Sequence, residues 1–472
     1  MSSLNDWTER EAQFAARAML RAISATTIVK ERPGFGQRII PHLGSVLASP
    51  VPASYDPDPD YFFHWFRDSA LVMDALRVAY EQGLIDKKKA FEKLKEFVDF
   101  TRKLQNLDGR IFLQCHDYES PTQPDFLQYL RPKEEIAQIF NKAIFAETRV
   151  NPDGMFDVTR WPRPQMDGPA LLILTLLRWL KNDPALDTAL YKDIEELLIE
   201  NLDLTNQHFQ EMSFDIWEEE KGFHYYTQLV QHEALEKGAE WLTLKGDHTR
   251  ANDYRKNCDD LTKQLAAYWD TSLGYLRSRL NVEQGNNDKG LDIAVIFAVI
   301  HTARLFGPHS VIDVKVQATI TALEELFESE YLINQSRADD HGPAMGRYKN
   351  DVYYSGGAYF FSTLAAAEFY YKLASALQKG GELHIAAENT RFCARLGVTE
   401  KTSPQAQINA LRARGDAILR MVQTYTPESG DLSEQFDQKN GLQTSAKHLT
   451  WSYGAFITAY AARRQAAQAT QD

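Results

Sequence analysis

Residues 210–268 read QEMSFDIWEEEKGFHYYTQLVQHEALEKGAEWLTLKGDHTRANDYRKNCDDLTKQLAAY. The stretch opens with a long loop, 210–224. At its centre are Phe214, Asp215, Ile216, Trp217 and three successive glutamates, Glu218, Glu219 and Glu220; Phe223, His224, Tyr225 and Tyr226 follow. Helical period then runs over 225–244, breaks at a short link, 245–248, and resumes over 250–268. Helices joined by a short link lie side by side and antiparallel. The unit is therefore long loop, helix, short link, helix.

Working outward, the same unit recurs. Helical period predicts about twelve helices, over 6–30, 68–82, 86–105, 167–181, 186–209, 225–244, 250–268, 289–305, 310–328, 356–377, 404–424 and 449–464. Asp68, Asp86, Asp167 and Ser310 suit the orphan N–H groups at four of the starts. Long and short links alternate along the chain, and only 378–403 is long where a short one is expected. If helices run up and down in turn, every long loop falls at the same end. That predicts an all-α fold, an (α/α)6 barrel with its active site in the long loops at one end. No repeat, low-complexity linker or appended module is legible, so a single domain over 1–472 is expected.

Composition narrows the function. The net charge of −13 disfavours a nucleic-acid groove or an anionic membrane, and a neutral substrate fits better. Cys115, Cys258 and Cys393 are odd in number and far apart, which is neither a disulfide framework nor a zinc spacing. The N-terminus lacks a basic region followed by an apolar run, so a cytoplasmic protein is expected; a chain relieved of its export signal would read the same way. No phosphate-binding glycine loop, HExxH or GxSxG is present, and no metal or cofactor is expected. The run from Asp56 to Asp60 mimics a calcium loop, but that register needs Gly at Tyr61 and Glu at Arg67, leaving a stiff Pro-rich turn.

The long loops carry the unusual chemistry. One holds Tyr61, Trp65, Arg67 and Asp68; the next holds Trp161. The third holds the three glutamates, a later one Arg347 and Asp351, and the last Glu434 and Gln435, followed by Trp451. Adjacent carboxylates repel, and crowding or burial can raise the pKa of one of them, as acid catalysis requires. Acids also favour helix N-termini, so the glutamate run equally suits a plain helix start. Arg67 and Asp68 read either as a cap with an ion pair or as a grip on adjacent sugar hydroxyls. Trp65 and Trp161 read as core or as sugar platforms. Two separated carboxyls at a barrel mouth suit glycoside hydrolysis.

Taken together, YFFHWFRDSALVMDAL, RWPRPQMDGPAL, FDIWEEEKGFHYYTQLVQHEAL, GRYKNDVYYSGGAYFFSTLAAAE and SEQFDQKNGLQTSAKHLTWSYGAF resemble glycoside hydrolase family 15, the fungal-type glucoamylases. The resemblance implies an (α/α)6 barrel and an inverting, exo-acting hydrolase that releases β-D-glucose from α-1,4-glucans. It implies Glu218 as general acid and Glu434 as general base. Arg67, Asp68, Arg347, Glu219 and the carbonyl of Ile216 match sugar contacts. Trp161 matches a tryptophan packed near the acid; Tyr61, Trp65, Trp217 and Trp451 match pocket residues, and Gln435 lies beside the base. The chain departs from the common family pattern at Pro162, Met166, Glu220 and the run Gly357, Ala358, Tyr359, changes expected to touch outer subsites. The expected partner is an α-glucan, acted on by a monomer. Preference for another linkage, such as isomaltose or trehalose, and a non-catalytic glucan-binding module are the alternatives.

Overall fold

Helical period becomes helix almost everywhere it was expected. In the computed structural model, which describes residues 3–182, 187–285 and 287–468, the long helices are Leu4–Ala22, Phe66–Glu81, Lys87–Leu104, Asp167–Asn182, Thr188–His208, Tyr225–Leu244, His248–Ala266, Ala294–Thr302, Val314–Glu330, Phe360–Gln378, Pro404–Tyr425 and Thr450–Ala467. The expected start at Leu186 lies outside the described residues, as do the ends of the 1–472 range.

Several boundaries and caps need correction. The first helix stops at Ala22 instead of residue 30, because Thr26, Thr27, Ile28 and Val29 form a β-branched run and Lys30–Arg32 pairs with Gln37–Ile39. The helix expected over 289–305 shrinks to Ala294–Thr302, ended by Ala303 at φ 56°. Asp68 is not a cap. Its helix begins at Phe66, so Asp68 is a buried residue of the first turn. Asp167 is the first residue of its helix instead of the flanking cap, and among the described residues neither carboxylate oxygen has a partner at hydrogen-bond geometry. Ser310 yields to Asp313, whose carboxylate accepts from Lys315 N at 2.9 Å. Asp86 does cap, accepting from Lys89 N at 3.0 Å. The link 378–403 is long because it contains a helix of its own, Thr390–Leu396, with Phe392 stacked on Tyr370 at 5.7 Å.

The chain divides into two compact units. One comprises 17–222 and 230–260, the other 1–16, 223–229 and 261–472. In the first, Phe66–Glu81 packs on Asp167–Asn182, locked by Thr175 Oγ1 donating to Ala70 O at 3.0 Å and Trp179 Nε1 to Met73 O at 3.1 Å. Strand His64–Trp65 pairs with Arg149–Val150, and Ser213–Phe214 pairs with the start of Lys221–His224. These short ladders pin the loops that carry Trp65 and Glu218.

In the second unit Phe360–Gln378 is buried on all sides and packs against Pro404–Tyr425 and Thr450–Ala467. Gly415 permits the first contact: a Cβ there would sit 2.6 Å from the Tyr371 ring. The cost of a helical glycine, about 1 kcal/mol, is offset by that ring's burial, about 1.5–3 kcal/mol. A three-stranded sheet orders Ala358–Tyr359, Gln435–Phe436 and Gln443–Thr444, and so fixes the segment bearing Glu434.

Candidate active site

The glutamate loop is a tight turn organised by Asp215. Its Oδ1 accepts from Glu219 N at 2.8 Å and Glu220 N at 2.9 Å, and its backbone N–H reaches Glu220 O at 2.9 Å. The three glutamates therefore diverge: Glu220 is buried, Glu219 is exposed and Glu218 lies between. Glu218 is held at φ 64°, a left-handed conformation that costs a non-glycine residue about 1–3 kcal/mol and is retained where surroundings over-determine it.

Those surroundings converge on its carboxylate. Oε1 accepts from Trp65 Nε1 at 2.8 Å and Arg67 Nη2 at 3.1 Å, while Oε2 accepts from Trp161 Nε1. Behind the two indoles lies Arg149, 1% exposed, its guanidinium 3.6 Å from the Trp161 ring, 4.8 Å from Trp65 and 3.9 Å from Phe63. Asp157 binds Arg149 at 2.9 Å and Arg163 at 3.0 Å, and Arg163 donates to Trp161 O at 2.9 Å. The Arg149 and Arg163 guanidinium charges outweigh burial and hold the Asp157 carboxyl well below its usual range. Tyr61 meets Trp65 edge-on at 5.3 Å. His64, next to Trp65, is driven down to about 3 by burial and accepts from Val46 N as a neutral ring.

Arg67 is shared by three acids. Besides Glu218 it meets Asp68 at 3.1 Å and Asp167 at 3.9 Å, and it donates to Gln165 Oε1 at 3.1 Å. Gln165 passes the contact on, donating to Asp215 O at 2.7 Å. One guanidinium cannot neutralise three buried carboxylates. Burial raises Asp167 to about 6, with the Glu218 charge adding and Arg67 opposing; burial likewise raises Asp68. Asp167 and Asp68 are thus two buried carboxyls beside Arg67 held above their usual range.

In the other unit, Glu434 is 8% exposed and Ser445 Oγ donates to its Oε2. Its backbone bonds Ala446 O at 2.8 Å and Phe360 N at 3.1 Å. Gln435 is fully buried. Its amide accepts from Ser355 at 2.9 Å and donates to Tyr359 OH at 2.8 Å and Tyr353 O at 3.2 Å. Arg347 forms a two-point pair with Asp351 at 2.7 and 2.6 Å, and Tyr359 OH donates to Asp351 at 3.1 Å. Trp451 stacks on Phe361 at 4.5 Å.

The structure therefore gathers Tyr61, Trp65, Arg67, Asp68, Trp161, Ile216, Trp217, Glu218 and Glu219 in one unit, and Arg347, Glu434, Gln435 and Trp451 in the other. Sequence reading missed Arg149, Gln165 and Ser445, and took Asp167 for a cap. For the first two the signal available was an Arg and a Gln in the same loop as Trp161. Among the described residues, His232, Glu233 and Glu236 bring possible metal-ligand atoms within 4.8 Å of one another on Tyr225–Leu244.

The chain is similar to known proteins over most of its length. The family model for glycosyl hydrolases family 15 matches residues 37–109 and 147–461. The chain is 26% identical over 480 residues to Glucoamylase 1 of Rhizopus oryzae, covering 97% of this chain and 71% of that protein. It is 30% identical over 449 residues to Glucoamylase-1 of Arthroderma benhamiae, covering 90% and 66%. The solved family 15 glucoamylase of Hypocrea jecorina superposes with a TM-score of 0.79 at 26% identity, covering 98% of this chain and 72% of that one. The chain thus spans roughly two thirds to three quarters of the length of these relatives. The likeness carries the expected fold class, an (α/α)6 barrel.

Proposed function

The chain belongs to glycosyl hydrolase family 15, and from that premise we propose which of its side chains carry the reaction. The reaction is that of an exo-acting glucoamylase, releasing glucose from the non-reducing ends of α-1,4-glucans with inversion at the anomeric carbon. Glu218 is the general acid. As its proton passes to the glycosidic oxygen, charge develops on its carboxylate, and the Trp65 and Trp161 indoles and the Arg67 guanidinium are already aimed at it. Glu434 is the general base that activates water, held by Ser445.

Arg67, Asp68, Glu219, Arg347 and the Ile216 carbonyl contact the sugar hydroxyls. Tyr61, Trp65, Trp161, Trp217 and Trp451 supply walls. Gln435 holds the base segment, since its amide is spent on Ser355, Tyr353 and Tyr359. The convergence of three donors from two distant loops on one glutamate is the observation that carries this reading.

The two units are read as one catalytic domain, supported by the interleaving of their segments along the chain. We read the protein as a monomer. Among the described residues no helix is long and apolar enough to cross a membrane. A cytoplasmic setting is supported by three free cysteines, with Cys115 exposed.

The test is Glu218→Gln, followed by proton NMR of maltotriose digestion. The parent should release β-glucose first, and the variant should bind maltotriose but turn it over at least about a thousandfold more slowly. Near-parental turnover by the variant, or α-glucose as the first product of the parent, overturns the assignment.

A further inference from the structure

Arg149 is a buried charge that the reaction assigned above leaves unused. It is 1% exposed and belongs to the strand Arg149–Val150, which pairs with His64–Trp65. Its guanidinium is fixed along the rim. Nε donates to Asp157 Oδ2 at 2.9 Å and Nη2 to Thr159 Oγ1 at 3.2 Å; Thr159 N and Oγ1 in turn donate to Asp157 Oδ1 at 2.9 and 2.6 Å. Hydrogen bonds at the rim leave the flat of the group to aromatic rings. The Trp161 ring lies 3.6 Å from it, Phe63 3.9 Å and Trp65 4.8 Å.

Both indoles spend their N–H on Glu218. A cation held against an indole draws electron density from the ring, so the ring N–H becomes more positive and a better donor. Its acceptor is the carboxylate left when the acid gives up its proton, so the gain grows as the proton leaves. A guanidinium suits this task better than an ammonium, being planar and weakly hydrated. Other charges surround the arrangement. Arg163 shares Asp157 with Arg149 and meets Glu147 at 2.8 Å, while Arg32, paired with Asp60 at 2.7 Å, lies 3.8 Å from the Phe63 ring. Tyr55 feels the charges of Arg149 and Asp60. Glu218 itself also faces Arg67, which Asp68 and Asp167 share.

We propose that Arg149 is a positioning residue for the reaction: its guanidinium, held against Trp161 and Trp65, fixes both indoles and strengthens the two N–H donors that stabilise the charge left on Glu218. It acts through the rings, without contact to the sugar. The inference rests on the reading of Glu218 as general acid.

The experiment measures kcat and KM for maltose against pH in the parent, Arg149→Met, Arg149→Lys, Trp161→Phe and Trp161→Phe/Arg149→Met. Arg149→Met should lower kcat about tenfold with a smaller change in KM. It should also move the alkaline limb of the kcat profile, which reports the acid in the complex, to higher pH by about half a unit. Arg149→Lys keeps a charge for Asp157 without the planar group, so it should fall between the parent and Arg149→Met. In the Trp161→Phe background the loss from Arg149→Met should shrink to about threefold or less, since one of its two rings no longer donates. Asp167 titrates in the same field, so the limb is also followed in Asp167→Asn, where Arg149→Met should still move it. A lower kcat with the limb unmoved reduces Arg149 to a structural role. An undiminished loss in the Trp161→Phe background shows a direct field on Glu218, and a limb that no longer moves in Asp167→Asn belongs to Asp167. A parental profile in Arg149→Met shows no role at all. Each of these overturns the proposal. Should Arg149→Met melt below the assay temperature, Arg149→Lys decides: parental kcat and limb there overturn it. Near-parental turnover by Glu218→Gln refutes the acid assignment instead.

Discussion

Asp167→Asn isolates the electrostatics beneath the acid. Asp167 is 1% exposed, and among the described residues both its oxygens lack hydrogen-bond partners and the cation paired with it is Arg67, 3.9 Å away and shared with Asp68 and Glu218. Its carboxyl is raised from 3.8 to about 6, first by burial and then by the Glu218 charge. In the unfolded chain the group ionises near 3.8. Between 3.8 and 6 the folded protein therefore binds more protons, and stability falls as pH rises. Below 3.8 nothing is lost; above 6 the full penalty applies, about 3 kcal/mol at 1.36 kcal/mol per pH unit.

Asparagine cannot ionise. Whatever its buried amide costs is the same at every pH, so the difference between variant and parent is informative even if the variant is less stable overall. The variant's stability relative to the parent should rise by up to about 3 kcal/mol between pH 3.5 and pH 8, mostly between 4 and 6. Melting temperatures followed by tryptophan fluorescence, at matched ionic strength across that range, read the effect directly. A constant offset between the two curves would show that Asp167 ionises normally and would refute the account of one guanidinium shared among three acids.

Further outcomes follow from other sites. Glu11 is raised to about 8 by burial and then by Asp431, so the parent loses stability as pH rises from 4.5 through 8; Glu11→Gln should keep its melting temperature at pH 9.5 while the parent falls by an amount equivalent to several kcal/mol, about 5 at most. Trp65→Phe keeps the ring but removes the 2.8 Å donor to Glu218; kcat on maltose should drop by about 10–100-fold, the equivalent of ~1.5–3 kcal/mol, with a smaller change in KM. Gly357→Ala places a Cβ 2.5 Å from Phe436 O in the sheet that fixes Gln435; differential scanning calorimetry should show a loss of about 1–3 kcal/mol, and activity should fall with it.

Much of the fold was legible because its signal is local. The helix Tyr225–Leu244 was read to the residue, since its apolar period and the link after it depend only on neighbours in the chain. Errors arose where tertiary pairing overrode period, as beyond Ala22, where Lys30–Arg32 finds a strand partner. They also arose where one residue type serves two purposes. Asp68 and Asp167 have the composition of caps, yet both turn toward Arg67.

The sequence by itself determined the helical class, the loops that carry chemistry and the glutamates worth naming, because hydrophobic period and motif order survive without coordinates. Only the tertiary structure decided that Trp65, Arg67 and Trp161 meet on Glu218, that Arg149 lies beneath both indoles, and that burial raises the Asp167 carboxyl. Desolvation and hydrogen-bond geometry depend on which distant segments pack together. No run of neighbouring residues records that.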